Sequence, residues 1–170
     1  MEFITELKIA KAAGFEYKKY KVIGTDDGAC WSAEIWLEGK KIGEVSDGGF
    51  GGPLNIDVPE ADMDQLVEAF KSAGYVLDLR VPHTNYVLDE PKNSHGWLEL
   101  VLPEMANHYD SLKHWKTQCK RKINIQVKAG KEKENCLFYS QVYTPELAEQ
   151  VRKQQGDNLL LIINEEIAAL

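Results

Sequence analysis

Apolar and polar residues alternate with the period of a β-strand in residues 29–37, near the start of the chain. The apolar positions of this segment are Trp31, Ala33, Ile35 and Leu37. Residues 38–40 supply turn chemistry, and residues 41–46 are typical of a returning strand. The pattern predicts a β-hairpin, and a loop of two, three or four residues leaves its register open.

Three other segments carry apolar residues at helical spacing, and each is followed by a glycine. They cover residues 3–13, 59–73 and 145–155. The second begins at a proline followed by acidic residues, which suit the positive end of a helix dipole. The third follows Thr144, a capping hydroxyl, and has a proline and a glutamate in its first turn. Each segment therefore predicts a helix.

A longer helical stripe covers residues 97–122, where apolar positions follow alternating spacings of three and four. These positions are Leu98, Val101, Met105, His108, Leu112, Trp115 and Cys119. A strand over residues 97–102 would leave the stripe unexplained, so the spacing predicts one long helix. Pro103 removes a backbone hydrogen bond and predicts a kink or a break near its first turns.

Strand patterns return in the last third of the chain. Residues 122–128 and 135–143 predict a second hairpin, joined by a turn at residues 129–131. Residues 159–164 are almost entirely apolar and predict a strand that is buried on both faces.

The remaining segment combines a strand pattern with a polar connector. Residues 75–81 predict a strand, and residues 82–96 form the longest polar connection. The predicted order is α-β-β-α-β-α-β-β-α-β, with three or four helices and with antiparallel hairpins rather than regular βαβ units. This is an α+β pattern.

Length and composition are those of an ordinary globular protein. With 170 residues, a hydrophobic fraction of 44% and a charged fraction of 28%, the chain is neither disordered nor fibrous in composition. The length predicts a single domain over residues 1–170, with possible sub-structure at residues 1–95 and 96–170.

The net charge of −7 is unevenly distributed. Residues 1–110 carry 10 Lys and Arg against 20 Asp and Glu, whereas residues 111–170 carry 10 against 7. An acidic front part repels phosphate backbones and attracts basic protein surfaces, although a solvated face also accounts for such a bias.

Three cysteines, Cys30, Cys119 and Cys136, are widely spaced and form no CxxC pair. The odd number and the spacing argue against a disulfide framework and a structural zinc site, and favour reduced thiols in a cytoplasm. The first residues show no signal-peptide pattern, and the longest apolar run, residues 159–163, is far too short for a membrane span. We therefore expect a cytoplasmic protein that does not contact membranes.

The most conspicuous local feature is a glycine-rich loop at residues 47–53 that contains Gly48, Gly49, Gly51 and Gly52. Backbone N–H groups in such loops can approach phosphate oxygens, so these glycines are a candidate ligand loop for a small molecule or nucleotide. The loop lacks the Lys-Ser/Thr of a phosphate-binding P-loop. Sharp turning of the chain is the favoured interpretation.

No residue pattern indicates catalysis, a metal site or a cofactor. His108 and His114 are six residues apart and face different sides of a helix, so they cannot grip one metal ion together. No GxSxG or other diagnostic frame surrounds a nucleophile. The sequence predicts a non-enzymatic protein with no catalytic residues and no cofactor.

The basic segment of residues 113–133 contains eight Lys and Arg together with Trp115, which is a possible nucleic-acid contact. Exposed lysines are ordinary at a helix end and a hairpin turn, and the chain as a whole is acidic. Direct binding to nucleic acid is therefore the least favoured function.

Aromatic residues outside the predicted core are typical of interface anchors. Trp36 falls on the polar face of its strand, and Phe50 lies within the glycine loop. Together with acidic Asp47, Asp62 and Asp64, they are the candidate partner-binding residues.

Two stretches of the chain resemble uncharacterised small acidic proteins of bacteriophages and mobile elements. They are LEGKKIGEVSDGGFGGP and the group INIQVK, CLFYSQVYTPELAEQV and LLIIN, which together cover about half the chain. The resemblance implies a protein that binds and inhibits or modulates a bacterial host protein, for instance a defence nuclease. It implies no catalytic residues.

Overall fold

The computed structural model describes residues 2–25, 28–81, 83–129 and 133–170. Its helices are α1 (Glu2–Ala12), α2 (Glu60–Ser72), α3 (Ser94–Cys119), α4 (Pro145–Gln155) and α5 (Ile163–Ala169), with a 3-10 turn at Gly156–Asn158. Its strands are β1 (Phe15–Thr25), β2 (Gly28–Leu37), β3 (Lys40–Asp47), β4 (Asn55–Asp57), β5 (Ile123–Lys128), β6 (Glu134–Tyr139) and β7 (Leu159–Ile162). The α+β class is confirmed, with five helices in the described ranges rather than three or four.

The chain forms two compact units that divide within α3. Apart from the first three residues, the N-terminal unit covers residues 4–107 and the C-terminal unit covers residues 108–170. The single domain over residues 1–170, with a boundary at residues 95 and 96, stays a prediction.

The N-terminal unit contains a four-stranded antiparallel sheet in the order β1-β2-β3-β4. Its strand β2 keeps the predicted alternation, because Trp31, Ala33 and Ile35 are buried while Ser32 is exposed. One face of the sheet therefore contributes to the core, and the other carries most of the polar side chains.

The turn between β2 and β3 settles the register of the first hairpin. Glu38 and Gly39 have φ angles of 49° and 78°, as expected for a two-residue type I′ turn. Leu37 consequently pairs with Lys40, and the register shifts by one residue after Ile35.

Strand β1 was not predicted, because a bulge interrupts its alternation. Phe15 and Tyr17 are buried on the core face. The pairing with β2 then shifts between Lys18 and Lys21, and Lys19 adopts a φ of 51°. The lysines at this bulge hide the strand from a simple period-two pattern.

Two sequence predictions for strands are wrong. Residues 75–81 form no strand and make a single isolated bridge, between Arg80 and Val87. The strand predicted over residues 159–164 ends at Ile162, and α5 begins with the next residue. It is not buried on both faces, since 39% of Leu160 is exposed.

An aromatic cluster forms much of the core of the N-terminal unit. Phe70 of α2 is fully buried, and its ring centroid lies 5.1 Å from Phe15, 5.4 Å from Tyr75 and 5.9 Å from Trp97. Burying an aromatic side chain of this size contributes roughly 1.5–3 kcal/mol. The cluster holds β1, α2 and the start of α3 together.

Helix α3 runs without interruption through Pro103, so the predicted break is absent. It begins where Asn93 Oδ1 accepts a hydrogen bond from the backbone N–H of Gly96 at 2.7 Å, and it ends at Cys119. Neither α3 nor any other helix in the described ranges combines the length and the apolarity needed to cross a bilayer.

The C-terminal unit contains a three-stranded antiparallel sheet in the order β6-β5-β7. Its core consists of Ile123, Ile125, Val127, Ala148, Val151 and Ile162. The turn predicted at residues 129–131 includes Gly130 and Lys131, which lie outside the described residues. The flanking strands β5 and β6 pair as the hairpin prediction requires.

Candidate functional site

The predicted anchor Trp36 is half-buried and is held by its neighbours on the polar face of the first sheet. Its indole N–H donates to Glu34 Oε2 at 3.2 Å, and Lys18 Nζ lies 3.8 Å from its ring centroid. These contacts occupy both the polar edge and one face of the ring. Trp36 is therefore a structural member of the sheet surface more than a free anchor.

Glu34 is the centre of the charge network on this face. Only 9% of the residue is exposed, and its Oε1 accepts hydrogen bonds from Lys19 Nζ at 2.7 Å and Lys41 Nζ at 3.1 Å. The Lys19 ammonium, followed by Lys41 and the Trp36 indole, lowers the pKa of Glu34 to about 2. The carboxylate is thus kept ionised well below neutral pH.

A shallow groove of about 420 Å³ lies over the same face. Its polar lining residues are Lys19, Lys21, Ser32, Glu34, Glu44, Ser46, Asn55 and Asp57. Glu34 pairs directly with Glu44 in the register, and Glu44 pairs with Asp57, so three carboxylates form one row across the sheet. Lys41 lies 2.5 Å from Glu44 and 3.1 Å from Glu34, which offsets the repulsion between these two.

We expect the Glu34 network to make folding stability depend on pH. The pKa of Glu34 is lowered by folding, so its contribution is present above about pH 4.5 and is lost as the pH falls towards 2. Glu34→Gln should therefore lower the free energy of unfolding at pH 7, and the difference from wild type should shrink between pH 4.5 and 2. Urea unfolding at a series of pH values measures this difference.

Glu38→Gln provides the matched control at pH 7, because it removes the same charge from the exposed turn of the same hairpin. If Glu38→Gln lost as much stability as Glu34→Gln, the loss would be due to the change in net charge and not to the Glu34 network. A Glu34→Gln deficit that stays constant from pH 7 to 2 would contradict the assigned role.

The glycine loop is organised by its own residues. Asp47 Oδ1 accepts a hydrogen bond from the backbone N–H of Gly49 at 2.7 Å. Gly49 and Gly51 have φ angles of 77° and 72°, which other residues rarely adopt. One of the N–H groups that could cradle a phosphate is therefore already used, and the geometry favours the turning role over a ligand loop.

The remaining two glycines add nothing specific to a ligand. A Cβ atom at Gly48 would meet the Phe50 ring at 3.3 Å, whereas one at Gly52 would meet nothing within 4 Å. Phe50 itself is 79% exposed, as expected for a residue outside the core.

The five candidate partner-binding residues do not form one cluster. Trp36 lies beside the β2–β3 turn, while Asp47 pairs with Trp31 at the far end of the hairpin, roughly 16 Å away along the strand. Asp62 and Asp64 belong to the first turns of α2, where Asp64 accepts a hydrogen bond from Ser94. They flank different parts of the N-terminal unit.

The basic segment of residues 113–133 is divided among several elements. It covers the end of α3, the turn after it and the whole of β5, and its residues 130–132 lie outside the described ranges. Lys122 Nζ lies 4.0 Å from the ring centroid of Phe138, so this cation is already engaged.

Two of the thiols have surroundings that favour a structural role. Burial raises the pKa of Cys119, and the amide nitrogen Nδ2 of Asn124 lies 3.7 Å from its sulfur. The Cys30 thiol donates to the backbone oxygen of Ile23 at 3.5 Å. A thiol that acts as a nucleophile has a lowered pKa and a cation or a base beside it. The pKa of Cys119 is instead raised.

The connector after α2, residues 73–93, contains a hairpin at residues 79–88, where the sequence predicts a strand over residues 75–81 and a polar connection from residue 82 onwards. The N–H of Leu88 donates to Leu79 O at 2.8 Å, and the N–H of Val81 donates to Tyr86 O at 2.9 Å. The Thr84 hydroxyl donates to Val81 O and accepts from the Tyr86 N–H. Pro82 lies outside the described residues.

Large apolar side chains project from this connector. The exposed fractions are 81% for Val76, 64% for Tyr86, 57% for Val87 and 44% for Leu88. The sequence pattern does not predict this surface, because prolines and polar residues surround the apolar run Tyr86-Val87-Leu88. These three consecutive apolar residues were the sequence signal that could have identified the exposed surface.

A groove of about 330 Å³ adjoins the hairpin. Its lining residues are Lys71, Tyr75, Val76, Leu77, Leu79, Glu90 and Trp97. Leu79 belongs to both features, so hairpin and groove form one surface, which we call the connector surface. Its rim carries an ion pair between Lys71 and Glu90 at 2.8 Å.

The fold and these surfaces define an α+β protein with two antiparallel sheets and an apolar connector surface on its N-terminal unit. Comparison with protein-family models, curated proteins and solved structures gives no match for this chain. Functional arguments therefore rest on the residues themselves.

Proposed function

We propose that this chain is a non-enzymatic protein-binding module and that the connector surface is its principal docking site. The observation that supports the proposal is the outward projection of Val76, Tyr86, Val87 and Leu88 beside an apolar groove. Clustered apolar exposure of this kind is typical of protein interaction sites.

The internal hydrogen bonds of the hairpin support a docking role for the connector surface. Three backbone hydrogen bonds and the Thr84 hydroxyl join residues 79–81 to residues 84–88 before any partner arrives. Preorganisation of this kind reduces the entropy lost on binding. Tyr86 combines a large apolar ring with a polar hydroxyl, which is the chemistry most often found at binding hot spots.

The charge of the N-terminal unit favours a basic partner surface. Residues 4–107 carry 10 Lys and Arg against 18 Asp and Glu. This imbalance would speed encounter with a basic protein and would repel nucleic acid. The partner we propose is a host protein that offers an apolar segment with a basic rim.

The resemblance to phage and mobile-element proteins supplies the proposed setting. In that setting the chain acts in the cytoplasm of a bacterial host and inhibits or modulates a host protein, for instance a defence nuclease. Phage origin, inhibition and cytoplasmic location all stay predictions, and substitutions on the connector surface test the binding step alone.

We expect Tyr86→Ala combined with Val87→Ser to weaken partner binding by about 30-fold or more, since truncating a hot spot costs about 2 kcal/mol. The full-length chain would first be used to capture a partner from bacterial lysate. Titration of that purified partner against wild type and variant, by calorimetry, then measures the dissociation constant.

Phe50→Ser is the matched control, because it removes another largely exposed aromatic, from the glycine loop. Retained binding by this control and lost binding by the double variant support the connector surface. Loss with Phe50→Ser alone would move the site to the glycine loop, and equal binding by all three proteins would reject the connector surface.

A further inference from the structure

Strand β6 is an edge strand of the C-terminal sheet, where it pairs with β5 on one side. In the described part of the chain, no strand lies on its other side. Every residue from Glu134 to Phe138 is exposed, including 45% of Leu137 and 60% of Phe138. The strand thus presents both an open backbone edge and large apolar side chains.

The usual devices that protect an edge strand are missing from β6. Its sequence ENCLFY has one charged residue, Glu134, at its first position and contains neither proline nor glycine. Its six pairs with β5 run from Glu134 to Tyr139 without a bulge. An unprotected edge of this kind pairs readily with another strand.

We propose that a second copy of this chain covers the edge, so that two β6 strands pair antiparallel about a twofold axis. A twofold axis perpendicular to the sheet keeps each face of one copy continuous with the same face of the other. Paired residues must therefore point to the same face, and the axis must pass midway between the two copies of one residue, so that this residue pairs with its own counterpart.

The length of β6 leaves two such registers that pair five residues of each strand, one centred on Cys136 and one on Leu137. The first would place Glu134 opposite Phe138 and Asn135 opposite Leu137. The second places Leu137 opposite its counterpart and Cys136 opposite Phe138. We assign the second register, because it matches apolar residues with apolar residues.

Charge complementarity supports the same register. Glu134 lies on the same face of the strand as Phe138, two positions away from Cys136. With the axis at Leu137, Glu134 is the diagonal neighbour of Phe138 in the other copy, at about 7–8 Å. Lys122 lies over that ring at 4.0 Å, so the carboxylate of Glu134, which accepts a hydrogen bond from Gln126 in its own copy, approaches the ammonium of the other copy.

The oligomeric state of the full-length chain tests the proposal. Sedimentation velocity at a series of concentrations should show a monomer–dimer equilibrium. Leu137→Lys places two lysines directly opposite each other, so we expect the dissociation constant to rise by about 100-fold or more, as like charges at a paired position repel.

Val142→Lys is the control, because Val142 is 60% exposed and follows β6. This variant adds the same charge and should leave the dimer intact. Circular dichroism of both variants establishes that they fold. A wild-type monomer at every concentration, or a dimer unaffected by Leu137→Lys, would overturn the proposal.

Disulfide formation tests the register itself. Leu137→Cys in a Cys136→Ser background should oxidise to a covalent dimer, since directly opposed Cα atoms lie about 4.5–5.5 Å apart. Native Cys136 residues would be diagonal neighbours and should not form this bond readily. Efficient cross-linking of the wild-type chain through Cys136, with none in the Leu137→Cys, Cys136→Ser double variant, would overturn the Leu137 register.

The dimer and the proposed partner site can fail independently. Strand β6 lies in the C-terminal unit, whereas Tyr86 and Val87 lie in the N-terminal unit. Tyr86→Ala with Val87→Ser should leave the sedimentation behaviour of wild type unchanged, and Leu137→Lys serves as a monomeric control in partner titrations.

Discussion

Asn164→Ala should destabilise the C-terminal unit by about 2–4 kcal/mol, because it removes three hydrogen bonds that this one buried side chain makes to the backbone. Asn164 is 6% exposed and lies in the first turn of α5. Its Oδ1 accepts from the backbone N–H of Asn124 at 2.7 Å, and its Nδ2 donates to Cys119 O at 3.1 Å and Lys122 O at 3.0 Å. One side chain thus joins the end of α3, the start of β5 and α5.

Hydrogen exchange shows which strands lose stability in Asn164→Ala and how large the loss is. We expect amides of β5 to lose protection in Asn164→Ala, while amides of β2 and β3 in the other unit keep theirs. Asn158→Ala is the control, since Asn158 is exposed in the 3-10 turn. If the two variants had equal stability, the bridging role of Asn164 would be wrong.

Asn164→Asp distinguishes the donor from the acceptor. The aspartate keeps an oxygen for the Asn124 N–H but places a second oxygen beside the carbonyls of Cys119 and Lys122. We expect it to be at least as destabilising as alanine at pH 7, because the oxygen that replaces the amide nitrogen faces two carbonyl oxygens and is left without a donor. A variant as stable as wild type would show that the amide nitrogen contributes little.

Elements with a local signal were predictable from the sequence. Thr144 accepts a hydrogen bond from the backbone N–H of Leu147 at 3.2 Å, with Pro145 in the first turn of α4, as its residue types indicate. Gly14 has a φ of 73° directly after α1, and Gly156 has a φ of 51° after α4. Caps and stops of this kind depend on neighbouring residues alone, so a sequence pattern can identify them.

Elements that depend on distant partners were not predictable. Strand β1 was hidden by its bulge at Lys19, and the three-residue β4 exists because β3 pairs with it. Asn164 was placed in a strand, although its amide is what closes the end of α3. In each case the deciding contact lies far along the chain, where periodicity carries no information.

The residues of the candidate site also separate into those whose surroundings the sequence predicts and those whose surroundings depend on strand pairing. The exposure of Phe50 was predictable, since an aromatic between glycines has no core to enter. The engagement of Trp36 by Glu34 and Lys18 required the register of β1 against β2, which the sequence left undefined. The open edge of β6 required the strand order, because both strands contain apolar residues but those of β5 are buried while Leu137 and Phe138 of β6 are exposed.

Gly43→Ala should destabilise the N-terminal unit by about 1–3 kcal/mol or more, although the sequence does not show which residues approach Gly43. A Cβ atom at Gly43 would lie 2.2 Å from Asp57 O and 2.6 Å from Val58 Cγ2. The close approach of β4 to β3 thus depends on the missing side chain. We expect amides of residues 55–57 to exchange faster in this variant, and urea unfolding to show the loss of stability. Gly52→Ala, where a Cβ meets nothing within 4 Å, should behave as wild type, and equal stability of the two variants would contradict the steric argument.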